Sequence, residues 1–100
     1  MSDTSSQMPG SFPVGDIVIP PHALGLISAS ELAAGLIRHA RGDWGELDEA
    51  HKRDNDRALT EGRRVLSAYR TKAGQRFWVF TEPDRSQTKV IVADTADRPS

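Results

Sequence analysis

The chain contains no cysteine, so disulfide bonds, thiolate nucleophiles and thiolate metal sites are excluded. A secreted domain of this size would usually carry such cross-links, and their absence favours a reducing compartment. The longest apolar runs are too short to span a membrane, and the first residues lack the basic and apolar regions of a signal peptide. We therefore expect a cytoplasmic protein without membrane contact.

Catalytic motifs are missing as well. The sequence has no glycine-rich phosphate loop and no nucleophile elbow, and none of its histidines, His22, His39 and His51, stands four residues from another. His39 and His51 have arginine or lysine neighbours and are expected to be solvated on helix surfaces. Ser67 and Ser86 have no histidine beside them in sequence, although proximity in space stays open. We expect a non-enzymatic protein with no catalytic residues, metal or cofactor.

The length of 100 residues suits one domain. Residues 1–13 are rich in serine, proline and glycine, and residues 94–100 have a similar polar composition, so both segments are predicted to be disordered tails. The remaining segment, 14–93, is predicted to form a single α+β domain.

Two helices are indicated by their capping residues. Ser28 and Glu31 form a capping box, and Gly42 supplies the stop of the helix that follows. A second helix is predicted from Asp48 to Gly62, since it contains acid–base pairs in the favourable order. The predicted buried face of the first helix consists of small and aliphatic residues, namely Ala29, Ala33, Leu36, Ile37 and Ala40.

After Gly62 the periodicity changes from that of a helix to that of a strand. Residues 65–70 alternate in polarity, residues 76–81 are aromatic and β-branched, and residues 89–92 are aliphatic, with turn residues between them. These segments predict a three-stranded antiparallel meander with the two helices packed on one face. The short run 17–19, which proline stops, is a possible N-terminal edge strand.

Cations and aromatic residues are concentrated in the predicted meander. Residues 63–89 contain seven lysines and arginines against two acidic residues, whereas residues 1–59 carry five basic and nine acidic residues. Both faces of the 76–81 strand are apolar, and the helices can cover only one of them. We therefore predict a partner-binding surface on this hairpin, made of Arg70, Arg76, Trp78, Phe80, Arg85 and Lys89.

The occupant of this surface is left open by the sequence. Cations interleaved with aromatics are typical of sheets that bind single-stranded nucleic acid, and a protein partner would use the same residues as anchors. A second copy of the chain could also cover this face in a homodimer of stacked sheets. Alternatively, the N-terminal segment could fold over the face and make it part of the core.

Two further residues are predicted to have structural roles. Trp44 lies in a tight connection beside Gly45 and is expected to anchor the second helix to the sheet. Asn55 shares a helical face with Leu59, so its amide is expected to point inward and to bond to the backbone of a neighbouring loop or strand.

The chain also resembles a known family. The landmarks run from Asp43-Trp44-Gly45-Glu46-Leu47-Asp48 through Leu66-Ser67-Ala68-Tyr69 to Phe77-Trp78-Val79-Phe80-Thr81-Glu82 and Asp84-Arg85-Ser86. This pattern, over roughly residues 36 to 92, is similar to small plasmid-related proteins of bacterial mobile elements, some of which are labelled methylation subunits of restriction systems. The resemblance implies a mobile-element setting and gives no activity.

From these observations we expect a protein-interaction module, for example an inhibitor of a host defence complex of the CRISPR or restriction type. The alternative is a nucleic-acid-binding accessory protein that uses the basic–aromatic hairpin. A nuclease-like toxin is least favoured, because no acid–base pair is recognisable in the sequence.

Overall fold

The computed structural model describes residues 12–92, so the predicted C-terminal tail and residues 1–11 of the predicted N-terminal tail lie outside the described part. Three helices and four strands follow one another in this part of the chain. They are β1 (Asp16–Val18), α1 (Pro21–Leu26), α2 (Ala29–Ala40), α3 (Glu49–Glu61), β2 (Val65–Arg70), β3 (Arg76–Thr81) and β4 (Gln87–Val92).

The strands form one mixed sheet in the order β1-β4-β3-β2. Strands β2, β3 and β4 are joined as antiparallel neighbours, whereas β1 pairs in parallel with β4. The predicted α+β class is confirmed. The sheet has a fourth strand, β1, which the sequence suggested only as a possible edge strand, and there is a third helix, α1, so the predicted three-stranded meander with two helices was incomplete. A three-residue strand carries no sequence signal for its partner, because a parallel pairing across the whole chain has no local turn that marks it.

Helix α1 begins at the proline pair that ends the predicted edge strand. Pro21 is the first helical residue, a position where the missing amide costs nothing and the fixed φ suits a helix. Ala23 and Ile27 from this segment are buried in the core.

The start of helix α2 is confirmed, but its predicted buried face was only partly right, since Leu36 packs on the core whereas Ala29, Ala33 and Ile37 are exposed. The amide of Glu31 donates to the Ser28 hydroxyl at 3.2 Å, as in the predicted cap. The buried residues are Leu32, Gly35 and His39, while Ile37 is 51% exposed. Gly35 explains the difference, because the Phe77 ring occupies the place of its side chain: a Cβ there would lie 2.8 Å from the ring.

Helix α3 closes the free edge of β2. Its bounds agree with the prediction, since Asp48 is the N-cap and Gly62 adopts the left-handed conformation after the last turn. The buried side chain of Asn55 donates to the carbonyl of Leu66 at 2.8 Å and accepts from the Leu66 amide at 3.3 Å. The amide group thus points inward and pairs with strand backbone, as the sequence suggested.

The rest of this edge is closed by the segment before α3. The Ala68 amide donates to the Trp44 carbonyl at 3.1 Å, and the Glu46 amide donates to the Ala68 carbonyl at 2.8 Å. Backbone groups that would otherwise invite another strand are therefore paired within the chain.

The apolar core has two parts, both on the side of the sheet that α1 and α2 cover. The larger lies under these helices and contains Ile27, Leu32, Tyr69, Phe77, Val79 and Val90. The smaller contains Phe12, Trp44, Ala58 and Val65. Phe12 belonged to the predicted tail, so that boundary was wrong: an aromatic ring in this segment supplies apolar area to the core.

Trp44 is 3% exposed, and its indole N–H donates to Asp56 at 2.9 Å. Trp44→Ala should lower the free energy of unfolding by about 3–5 kcal/mol, because it removes a large buried ring. Trp44→Phe should cost less, since it keeps an aromatic side chain and loses the hydrogen bond to Asp56. Urea unfolding of the three proteins measures this, and a loss below about 1 kcal/mol for the alanine variant would contradict it.

Gly45 offers a second stability test. Its φ is +76°, and a Cβ would lie 1.9 Å from the carbonyl oxygen of Ala68. Gly62 has a similar φ of +71° with nothing within 4 Å of the added atom. Gly62→Ala should therefore cost about 1–2 kcal/mol from backbone strain alone. Gly45→Ala should cost clearly more, because the bridge to β2 must also break. Equal losses by urea unfolding would refute a role for the close approach.

Candidate functional site

The face of the sheet turned away from α1 and α2 carries a continuous set of side chains. The register of the four strands shows which of them are neighbours. Val18, Lys89, Phe80 and Leu66 stand opposite one another across all four strands. The next row is Ile91, Trp78 and Ala68, and beyond it Arg70 faces Arg76. We call this set the Trp78 face: Val18, Leu66, Ala68, Arg70, Arg76, Trp78, Phe80, Lys89 and Ile91.

Five of the six residues predicted to bind a partner lie together here: Arg70, Arg76, Trp78, Phe80 and Lys89. The aliphatic members Val18, Leu66 and Ile91 were not identified from the sequence. Strand alternation could have found Leu66 and Ile91, because they share the parity of Arg70 and Lys89. Val18 could not have been found, since its place depends on the parallel pairing of β1.

The centre of the Trp78 face is buried and its rim is accessible. Trp78 is 4% exposed and Ala68 5%, whereas Val18 is 40% exposed and Phe80, Leu66 and Ile91 are partly buried. The indole nitrogen of Trp78 is buried without a hydrogen-bond acceptor. A buried donor of this kind is uncommon in folded proteins and calls for an explanation.

The cations on this face differ in their partners. Arg70 pairs with Glu46 at 3.3 Å, and Lys89 pairs with Glu82 at 3.5 Å. The guanidinium of Arg76 lies 6.0 Å from the centre of the Trp78 ring, and that of Arg64, next to β2, lies 5.6 Å from the Phe80 ring. Positive charge therefore surrounds the apolar rows.

Arg85, the sixth predicted residue, does not join the others. Its guanidinium donates to the carbonyls of Arg63 at 2.7 Å, Glu82 at 3.1 Å and Ala58 at 3.3 Å. It also lies 5.6 Å from the ring of Phe12, in the smaller part of the core. These bonds tie the turn that contains Arg85 to the C-terminal end of α3 and to the segment that follows it, so its placement indicates a structural role.

The prediction for His39 was wrong, since this histidine is fully buried between α2 and the sheet. Its Nδ1 meets the hydroxyl of Ser67, and its Nε2 lies 2.7 Å from that of Thr81. The chain continues from Thr81 to Thr88 at 2.7 Å, and Thr88 donates to the carbonyl of Val14 at 2.7 Å. The proximity of Ser67 to a histidine, left open by the sequence, is therefore real.

The protons of this chain can be assigned by counting donors. Thr88 spends its only hydroxyl proton on the Val14 carbonyl, so Thr81 must donate to Thr88. Thr81 then accepts from Nε2–H of His39, and Nδ1 accepts from Ser67. Every member is satisfied with a neutral imidazole. The four side chains of this hydrogen-bonded series, those of His39, Ser67, Thr81 and Thr88, are all fully buried. The serine–histidine pair is therefore closed to a substrate and has a structural role.

His51 remains on the surface, where its Nδ1 lies 2.7 Å from the carboxylate of Asp48, the N-cap of α3. Within residues 12–92, no three potential metal ligands come together. No helix in the same range is long and apolar enough to cross a membrane.

Comparison with known proteins gives no relative: no family model, no curated protein and no solved structure matches the chain. The similarity to plasmid-related proteins therefore stays a prediction, and functional inference depends on the geometry of the Trp78 face.

The buried histidine predicts how stability depends on pH. Burial, and secondarily the charge of Arg85, lowers the pKa of His39 to about 3 from an ordinary value of 6.5. The unfolded chain therefore binds a proton that the folded protein does not, and stability is lost as pH falls from about 6.5 towards 3. Between pH 7 and 5 the free energy of unfolding should fall by about 2 kcal/mol.

Urea unfolding at the two pH values measures this loss. His39→Gln should be less stable at pH 7 and should lose most of the pH dependence, whereas His22→Gln, at an exposed position, should keep it. An unchanged slope in the His39 variant would show that another group is responsible.

Proposed function

We propose that this protein is a non-enzymatic interaction module that binds a protein partner through the Trp78 face. The observation that carries the proposal is a mixed apolar and cationic surface that crosses all four strands on the side opposite α1 and α2. Partly exposed aliphatic and aromatic side chains surrounded by arginine and lysine are typical of protein interfaces.

A protein partner is favoured over nucleic acid by three features of this face. Trp78 is too buried to stack on a base, which removes the largest aromatic platform. Val18, Leu66 and Ile91 add apolar area that bases do not use. The carboxylates of Glu46 and Glu82, which already pair with Arg70 and Lys89, would repel neighbouring phosphates.

A second copy of the chain is a poorer occupant. If two sheets stacked through the Trp78 face, their arginines and lysines would be brought together in a region that loses its solvent. Like charges opposed in this way suppress association, so the charge of the face favours a partner with acidic groups.

The biological setting follows from the family resemblance. We propose a protein of a bacterial mobile element that inhibits a host defence complex, of the CRISPR or restriction type. The small size and the lack of a recognisable active-site motif fit an inhibitor that acts by occupying a surface. Nucleic-acid binding by the hairpin is the alternative.

Interference assays in cells test the proposal. Cells with a defined CRISPR or restriction system are challenged with a targeted plasmid, with or without this protein. The protein should raise transformation, and Phe80→Glu should abolish the effect, because it places a charge in the middle of the interface. Ile37→Glu is the matched control, since Ile37 is 51% exposed on α2, which packs on the opposite face.

A binding measurement identifies the partner class. The purified defence complexes, and single-stranded and double-stranded oligonucleotides, are titrated at several salt concentrations. Binding to a protein complex that Phe80→Glu weakens about tenfold or more supports the proposal. Binding only to oligonucleotides, with affinity that falls steeply with salt, would contradict it and favour the alternative.

A further inference from the structure

Two arginine residues stand opposite each other in the strand register at one end of the Trp78 face. Arg70 and Arg76 are the last cross-strand pair of the β2–β3 hairpin, and both are exposed. Like charges at directly opposed positions destabilise a sheet. Glu46 partly offsets the charge of Arg70 at 3.3 Å, but no carboxylate of residues 12–92 lies within 4.0 Å of Arg76. Lys72, exposed in the hairpin loop, adds another cation to this end.

The neighbouring cross-strand pair on the same face contains Trp78, with its unpaired indole N–H. A buried donor without an acceptor is destabilising, because the hydrogen bond that it made to water before folding is not replaced. The guanidinium of Arg76 lies 6.0 Å from the centre of the ring, so the unpaired cation and the ring with the unpaired donor are adjacent. Within residues 12–92, neither the guanidinium of Arg76 nor the indole N–H of Trp78 has a negatively charged or polarised oxygen as a partner.

We propose that Arg70, Arg76 and Trp78 form a receptor for the carboxylate of an aspartate or glutamate on the partner protein. This inference rests on the proposed function and specifies the chemistry of the partner. The two guanidinium groups grip the carboxylate oxygens, a geometry that arginine forms well. The same carboxylate supplies an acceptor to the indole N–H of Trp78.

Charge complementarity favours a carboxylate in a protein over the phosphate of a nucleic acid. Glu46 already shows a carboxylate seated on Arg70. Glu82 pairs with Lys89 beyond the other end of β3, so a single acidic side chain at the hairpin end meets only Glu46. A phosphodiester strand that crossed the face would run its repeated charges past both carboxylates. The site is therefore suited to one acidic residue among apolar neighbours.

The indole N–H signals in a two-dimensional ¹⁵N NMR spectrum report on this site directly. Trp44 and Trp78 give one signal each, and Trp44 is an internal control because its N–H already bonds to Asp56. The probe is a blocked peptide with one glutamate among alanine and leucine residues, titrated into the full chain. The Trp78 signal should move towards the position of a hydrogen-bonded indole, and the Trp44 signal should stay.

Four variants define the origin of the shift. Arg70→Gln and Arg76→Gln should each weaken binding of the peptide about tenfold, because each removes a charged hydrogen bond. Glu46→Gln should strengthen it several-fold, since it removes the carboxylate that competes for Arg70. Arg53→Gln, at an exposed position on α3, should leave it unchanged.

An unmoved Trp78 signal, or equal shifts in the Arg76→Gln and Arg53→Gln proteins, would overturn the inference. Tighter binding of oligothymidine than of the glutamate peptide at about 150 mM salt would overturn it in favour of phosphate. If Phe80→Glu abolishes binding of the defence complex but Arg70→Gln and Arg76→Gln do not, this inference fails and the proposed function stands. If the peptide binds as described but no defence complex does, the proposed function fails and the carboxylate receptor stands.

Discussion

Two ring nitrogens of one buried histidine connect the helical layer of this protein to three parts of the sheet. His39 on α2 binds Ser67 of β2 and Thr81 of β3, and Thr81 passes the connection to Thr88 of β4. A polar chain in an apolar interior is stable only when every member is paired, and this one ends on a backbone carbonyl that accepts the last proton. Helix α2 cannot rotate or slide without leaving several donors unpaired. This series of hydrogen bonds therefore fixes the position of α2 on the sheet.

Some edges and faces of the sheet are covered by other parts of the chain, and others are not. Asn55 and the segment 44–46 close the edge of β2, and α1 and α2 cover one face. The Trp78 face is the remaining apolar surface of the sheet, and its arginines and lysine keep it compatible with water. This division explains why the function is proposed for that face and not for the buried histidine.

Local signals in the sequence predicted a large part of this structure. Capping residues such as Ser28, Asp48 and Gly62 define helix ends through contacts a few residues long, and alternation in residues 65–81 defines a hairpin in the same way. These features need no knowledge of the rest of the chain. Strand parity places Arg76, Trp78 and Phe80 on one face in the same way, whereas the position of Arg70 and Lys89 beside them depends on the register of the strands.

The predictions that were wrong depend on distant parts of the chain. The charged neighbours of His39 suggested solvent, but its environment is set by hydroxyl groups 28 and 42 residues away. Arg85 was counted with the cationic face because of its position in sequence, yet its turn conformation, with φ of +63°, directs it to the end of α3. Gly35 was not among the residues predicted for the buried face of α2, yet it is where the ring of Phe77 packs.

The parallel pairing of β1 with β4 has a consequence for the order in which the sheet assembles. The two hairpins of the meander close over short loops, whereas β1 must find β4 across most of the chain, with Val14 and Thr88 separated by 74 residues. Contacts of such high sequence separation form late, because closing the long intervening loop loses conformational entropy before the contacts are made. Strand β1 is also short and exposed along its length, so it detaches most easily. When β1 is detached, the outer edge of β4 exposes unpaired backbone groups to which strands of other molecules can bind. By pairing with this edge, β1 opposes edge-to-edge aggregation.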